Sequence, residues 1–251
     1  MDQSLFNTLL LAWIGIAVLI LPIATRIAAP YGRHSREGWG PMISNRMGWL
    51  IMELPALLTT IILTLAGNAD KTNVIFAILG LWVLHYGHRT LIFPFMLKTK
   101  GKRMPMSIMF SAIFFNLVNG FFLGYYFGNF ADYPDAWFTD PRFIGGLAIF
   151  FIGLAINWKA DYKLINLRKP GEIGYKIPRG GLFEYISCPN HFGEIIEWAG
   201  FALLTWCLPA LGFFAWTVAN LIPRTLNHHK WYKEKFEDYP EERKAVIPFV
   251  L

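Results

Sequence analysis

Residues 190–206 read NHFGEIIEWAGFALLTW. The run has the length and apolar content of a membrane helix, yet it opens on Asn190, His191, Glu194 and Glu197. Hydrocarbon is a costly place for carboxylates, so polar groups in such a run mark an internal cavity or a functional site. Asn190, Glu194 and Glu197 are spaced i, i+4, i+7 and share one helical face. The rest of the chain decides what that face looks onto.

The 251 residues are 55% hydrophobic, with a mean hydropathy of +0.38. Long apolar runs and this composition point to an integral membrane protein that forms one domain over residues 1–251. Seven spans can be drawn: Leu5–Ile27, Ser44–Ala66, Thr72–Leu97, Pro105–Phe127, a short fifth at Phe143–Trp158, Asn190–Leu208 and Ala210–Leu226. Pro209 separates the last two, which then form a tight hairpin. The expected fold class is all-α, a polytopic protein of seven transmembrane helices. The N-terminal run lacks a basic flank and reads as a retained first span.

The net charge of +6 does not indicate nucleic acid once the charges are placed. Twenty of the 23 Lys and Arg residues fall in the 27–43 loop and its borders, the 98–103 loop, the 159–189 loop and the C-terminal tail. Only Lys71 and Arg142 fall on the other side, and Arg89 lies within a span. The positive-inside rule then puts the N-terminus outside and the C-terminus in the cytosol.

Depth follows from this topology. Glu53 lies about 13 Å into the second span, and Tyr86 about 16 Å from the inner end of the third. The two share one level near mid-membrane, with His85, His88 and Arg89 close in sequence. The plain alternative for Glu53 is a buried ion pair with Arg89 or His88. Two further polar stripes end near the cytosol: Asn157 and Asp161 on the fifth span, and Arg224, His228 and Tyr232 on the seventh. Each alone reads as a wet helix end; together they form a polar cavity open to the cytosol. The loop LRKPGEIGYKIPRGG from Leu167 adds Arg168, Lys169 and Arg179, cations suited to phosphate or simply to the positive-inside pattern. There is no G-x-G-x-x-G, no P-loop and no metal-ligand spacing, so no metal site is expected. Cys188 and Cys207 imply no disulfide framework. Cys188 lacks a base–orienter set that would make it a nucleophile.

These residues resemble the steroid 5-alpha-reductase family. The resemblance rests on ELPALL from Glu53, HYGHRT from His85, the loop from Leu167 to Ser187, NHFGEIIEWAGFAL from Asn190, and HHKWYKEKFEDYPEERKAVIPFVL from His228. Shorter matches are PYGRH from Pro30 and YPDAWFTDPRF from Tyr133. It implies seven transmembrane helices, NADPH as cofactor, and reduction of the 4,5 double bond of 3-oxo-4-ene steroids such as testosterone or progesterone. Carried over by motif, the cofactor residues are Asn157, Asp161, Arg168, Tyr175, Asn190, Glu194, Arg224, His228 and Tyr232, with Glu197 as a neighbour that orients them. Glu194 and Glu197, with Asn190, would hold the nicotinamide end. Tyr86 and Glu53 would be the catalytic pair at the substrate carbonyl, and Trp49 would line the steroid pocket. The segment LKTKGKRMP departs from the family pattern, so no cofactor residue is carried over within 98–105; His191 replaces a more apolar residue.

A donor aimed at the carbonyl oxygen of an enone stabilises the charge that develops there as hydride arrives at the β-carbon. The Tyr86 phenol can donate, and Glu53 can donate when protonated or orient Tyr86. Other readings share parts of this layout. One is reduction of a different lipid enone or a polyprenol. Another is an isoprenylcysteine-methyltransferase-like enzyme using S-adenosylmethionine, although its Arg-His-Pro element is missing. A transporter would show inverted repeats, and none is visible. The expected partners are a steroid or similar lipid enone and the bilayer, with no nucleic acid and no obligate protein partner. The expected location is a bacterial inner membrane, or the endoplasmic reticulum in a eukaryote.

Overall fold

The computed structural model describes residues 1–26, 38–98, 101–169, 172 and 174–251. Arg33, Arg36, Lys100 and the PYGRH motif lie outside them. Seven long helical segments occur among the described residues: α1 Gln3–Ala24, α2 Asn45–Ala66, α3 Asn73–Met96, α4 Met106–Asn129, α5 Pro141–Asn166, α6 Pro189–Thr205 and α7 Leu208–Lys235. The protein is therefore all-α in class. The first five are long and apolar enough to cross a membrane. Helix α6 has 17 residues and carries two carboxylates, and the C-terminal half of α7 is polar.

Three features depart from the sequence expectation. The fifth helix is not short: it runs 26 residues, through NWKADYKLIN, because its polar end continues the helix beyond the apolar stretch. Two three-residue strands, β1 Met42–Ser44 and β2 Arg103–Pro105, pair antiparallel with Ile43 opposite Met104. Met104 is buried there beside Gly48 and Ile43. Finally, α3 contains a π-helical turn over His88–Ile92. Such turns are uncommon and concentrate at functional sites.

The chain divides into two compact units, residues 1–10 with 29–144, and residues 11–28 with 145–251. In the first unit α2 and α4 pack closely. Gly120, Gly124 and Gly128 recur every fourth residue on α4, and a Cβ on Gly124 would lie 2.9 Å from both the Leu63 Cβ and the Thr60 carbonyl. Small residues at this spacing let helix backbones approach inside a membrane, where apolar side chains gain little by leaving lipid. Ser44 caps α2 by accepting from Met47 N–H, and Thr72 caps α3 by accepting from Ile75 N–H.

Lys71 and Arg142, the two cations that the sequence reading sets apart from the basic loops, each have local partners. Lys71 Nζ donates to the carbonyls of Gly67 (3.1 Å), Gly128 (3.2 Å) and Ala69, at the C-terminal ends of α2 and α4. Orphan carbonyls and the negative end of the helix dipole both favour a cation there. Arg142 forms a two-pronged pair with Asp140, at 2.9 and 2.8 Å, and its guanidinium lies over the Trp137 ring. That pair holds the Asp140 carboxyl down at about 2.

In the second unit α5 and α6 are joined by a second set of glycines. A Cβ on Gly193 would run into the backbone of Asn157, and one on Gly153 into that of Glu197. Helix α6 ends at Trp206, a left-handed residue (φ 45°), and Cys207 leads into α7 with Pro209 in its first turn. The expected hairpin is present, but its break falls at Trp206–Cys207 and not at Pro209, because a proline is well accommodated in the first turn of a helix, where its missing N–H costs nothing.

Candidate active site

In the first unit, Trp82 of α3 donates its indole N–H to the Ala56 carbonyl of α2, at 3.0 Å. The helices are consecutive and antiparallel. Glu53 stands three residues from Ala56, and Tyr86 four residues from Trp82, both toward the β1–β2 end. At 1.5 Å per residue these offsets are about 4.5 and about 6 Å, so the carboxyl and the phenol belong to one level. Tyr86 is buried, with its ring 4.5 Å from the Trp82 ring and 5.0 Å from the His85 ring. Glu53 is half-buried.

Helix α4 supplies a third member. Asn116 is buried and donates to the Met52 carbonyl at 2.6 Å and to Glu53 Oε2 at 3.4 Å. Both acceptors lie just before Pro55, whose ring crowds the preceding turn of α2. Trp49, one turn before Glu53, is half-buried. The Arg89 guanidinium sits over its ring at 4.5 Å and over the Phe93 ring at 4.6 Å. The π turn holds Arg89, and Phe93 follows it directly.

In the second unit the glycine contact sets Asn157 and Asp161 of α5 against the start of α6. Asn157 Nδ2 donates to the Asn190 carbonyl at 3.0 Å, and Asn190 Nδ2 donates to Asp161 Oδ1 at 3.0 Å. Asn157 and Asp161 are buried; Asn190 and Glu194 are half-buried, and Glu197 is fully buried. On α7, His228 stacks on His191 with ring centres 5.8 Å apart, and His191 Nδ1 lies 2.6 Å from the Thr225 hydroxyl. Arg224 is half-buried on the same helix, and Tyr232 is buried. In the loop, Arg168 donates to the Gly174 carbonyl at 3.1 Å. Tyr175 is exposed, with its ring 4.8 Å from that of Trp231.

The sequence reading brings together Asn157, Asp161 and Asn190, and the structure joins them directly. It does not single out Asn116, although a buried amide in the run FFNLVNGFF is a polar group in an apolar span. Trp82 carries no such signal, because an indole in a membrane helix is ordinary.

Residues 102–251 match the family described as 3-oxo-5-alpha-steroid 4-dehydrogenase. The chain belongs to the steroid 5-alpha-reductase family. It is 43% identical to a steroid 5-alpha-reductase DET2 of Gossypium hirsutum, over 99% of this chain and 98% of the relative. It is 40% identical to a 3-oxo-5-alpha-steroid 4-dehydrogenase 1 of Bos taurus, over 100% of this chain and 98% of the relative. The corresponding protein of Homo sapiens is 42% identical, over 88% of this chain and 86% of its own length. This family membership and the five apolar helices make the chain an integral membrane protein.

Proposed function

We propose that this family member is an NADPH-dependent oxidoreductase that reduces the 4,5 double bond of 3-oxo-4-ene steroids. The observation that carries the reading is the identity of 40–43% with steroid reductases of a plant and a mammal over 99–100% of this chain. In the bilayer we infer seven spans, with α6 and α7 completing the set, the N-terminus outside and the C-terminus in the cytosol.

The residues of the second unit suit NADPH in their chemistry. Asn157, Asp161, Asn190 and Glu194 offer amide and carboxylate groups matched to a carboxamide and to ribose hydroxyls. Arg168 and Arg224 offer cations for phosphates, His228 offers a ring N–H donor, and Tyr175 and Tyr232 offer aromatic and hydroxyl contacts. When bound, the dihydronicotinamide supplies hydride. In the first unit Tyr86 donates a hydrogen bond to the steroid 3-oxo group. Glu53, held by Asn116, donates beside it or orients it. A fixed donor at this oxygen stabilises the negative charge that grows there as the β-carbon accepts hydride. A proton taken up at the α-carbon completes the saturated 3-oxo product. The apolar surroundings of Tyr86 and the Trp49 ring position the steroid and exclude water.

The test is NADPH oxidation by detergent-purified protein with testosterone or progesterone added. Steroid-dependent oxidation with a saturated 3-oxo product supports the reading. NADPH binding without steroid turnover shifts the substrate to another lipid enone. A folded protein that does not bind NADPH overturns it.

A further inference from the structure

The residues after α7 return to the start of α6. Ile186 and Lys244 form a parallel bridge, in which Lys244 N–H donates to the Tyr185 carbonyl at 2.8 Å and Ser187 N–H to the Lys244 carbonyl at 2.9 Å. Cys188 N–H donates to the Ala245 carbonyl at 3.2 Å. The next residue, Pro189, opens α6. Residues 239–246 are thus a strap laid along the entry to the helix that carries Asn190 and Glu194.

One hydroxyl gathers the strap and both helices. Ser187 Oγ, buried, lies 2.6 Å from His229 Nδ1, 2.6 Å from the Tyr239 hydroxyl and 3.1 Å from the Lys244 carbonyl. A serine hydroxyl has one proton and two acceptor positions. The Lys244 carbonyl only accepts, so the assignment that satisfies all three contacts gives it the serine proton. Tyr239 O–H and His229 Nδ1–H then both donate to Ser187.

Each arm of this junction ends beside a residue of the proposed cofactor set. Ser187 stands three residues before Asn190, whose amide and carbonyl hold Asp161 and Asn157. His229 follows His228 on α7. The Tyr239 ring stacks on the Tyr232 ring, with centres 5.3 Å apart and planes 12° apart. Arg243 clamps the strap from its other side. Its side chain is fully buried, donates to the Pro178 carbonyl at 3.2 Å, pairs with Glu184 at 3.6 Å and lies over the Tyr239 ring.

We propose that Ser187, His229 and Tyr239 are positioning residues for NADPH, acting through a C-terminal strap that fixes Asn190, His228 and Tyr232 relative to one another. This rests on the cofactor assignment above. None of the three need touch the cofactor; they set the spacing of residues that do, and binding groups held out of place lose affinity.

The experiment is steady-state kinetics and direct NADPH binding on the full chain in detergent, for Ser187→Ala, Tyr239→Phe, His229→Leu and His229→Asn. Ser187→Ala and Tyr239→Phe should raise the NADPH Kd roughly tenfold, the scale of one lost hydrogen bond. The steroid KM and kcat should change less than about twofold on the same basis. His229→Leu should match them. His229→Asn, which keeps an N–H donor near the Nδ1 position, should recover most of the affinity. Tyr239→Phe removes a single hydroxyl and stands in should Ser187→Ala not fold. Unchanged NADPH affinity in the folded variants, or equal losses in kcat and in both KM values, overturns the proposal. Arg224→Ala separates the two levels. If it weakens NADPH while the junction variants do not, the junction alone fails; if it too leaves affinity unchanged, the cofactor assignment fails and the junction with it.

Discussion

Asn116 and Glu53 are joined across two helices, with the amide nitrogen of one 3.4 Å from Oε2 of the other. The same amide holds the Met52 carbonyl at 2.6 Å, so it is fixed at one end and reaches the carboxyl with the other hydrogen. Replacing Asn116 with leucine keeps the volume and removes both bonds. We expect kcat for steroid reduction to fall about tenfold, the worth of one to two hydrogen bonds, with NADPH affinity unchanged. Steady-state kinetics with NADPH and steroid varied separately checks this; a fall in NADPH affinity of the same size would remove Asn116 from the carbonyl-polarising group.

Tyr86→Phe takes away the phenol and little else from a buried aromatic cluster. Loss of one preorganised donor to a developing oxyanion costs about 3 kcal/mol, on the order of a hundredfold in kcat. Isothermal binding of NADPH should match the unsubstituted protein. Equal losses in turnover and in cofactor affinity would rule out the donor role.

Gly193→Ala tests the packing beneath the Asn157–Asp161–Asn190 network. The new methyl group would meet the Asn157 backbone, so α5 and α6 must separate. Overpacking of this kind costs about 1–3 kcal/mol. Thermal unfolding should shift down, and NADPH affinity should fall with it, because the amide contacts of 3.0 Å bridge the gap that opens. Retained affinity together with an unchanged midpoint would show that the helices tolerate the change.

Acid should lower the stability of the fold through His229, although its Nδ1–H can donate to Ser187 in either protonation state. Burial, then the charges of Lys233, Arg243 and Lys244, pull the folded His229 value from 6.5 down to about 4. The unfolded chain therefore takes up this proton first as pH falls. The contribution is complete above pH 6.5 and declines on acidification toward pH 4. Carboxylates also titrate in that window, so the informative quantity is the difference between the unsubstituted protein and His229→Asn. The unsubstituted protein should lose more of its thermal midpoint between pH 7 and 4. Parallel curves for the two proteins would show that His229 is not responsible.

Hydropathy makes the helices readable because each apolar run must be long enough for lipid, and the capping residues Ser44 and Thr72 mark where two of them begin. It hides the C-terminal end of α5, since NWKADYKLIN keeps helical spacing while losing its apolar character. Strands of three residues, such as Met42–Ser44, are too short to show a period of two. The polar stripes expose Asn157, Asp161 and Asn190, because i, i+4 spacing is a local property. Contacts that join distant segments leave no local trace: Ser187 and His229 are 42 residues apart, and Ser187 and Tyr239 are 52 apart.

The π turn at His88–Ile92 gives the helix that bears Tyr86 one residue more than an even α ladder needs there. A π turn holds more residues than an α turn, and each residue of a regular helix turns the chain by about 100°. Deleting one residue within 88–92 would restore an even ladder and leave Tyr86 and the segment from Phe93 onward at nearly the same relative rotation, because the π turn spends its extra residue within a single wider turn. What the extra residue changes is the placement of the residues inside the turn, Arg89 among them, whose guanidinium lies over Trp49 and Phe93. A change in the residue count of this one turn, made without moving Tyr86, is a route by which this scaffold can be retuned for a ligand of different outline.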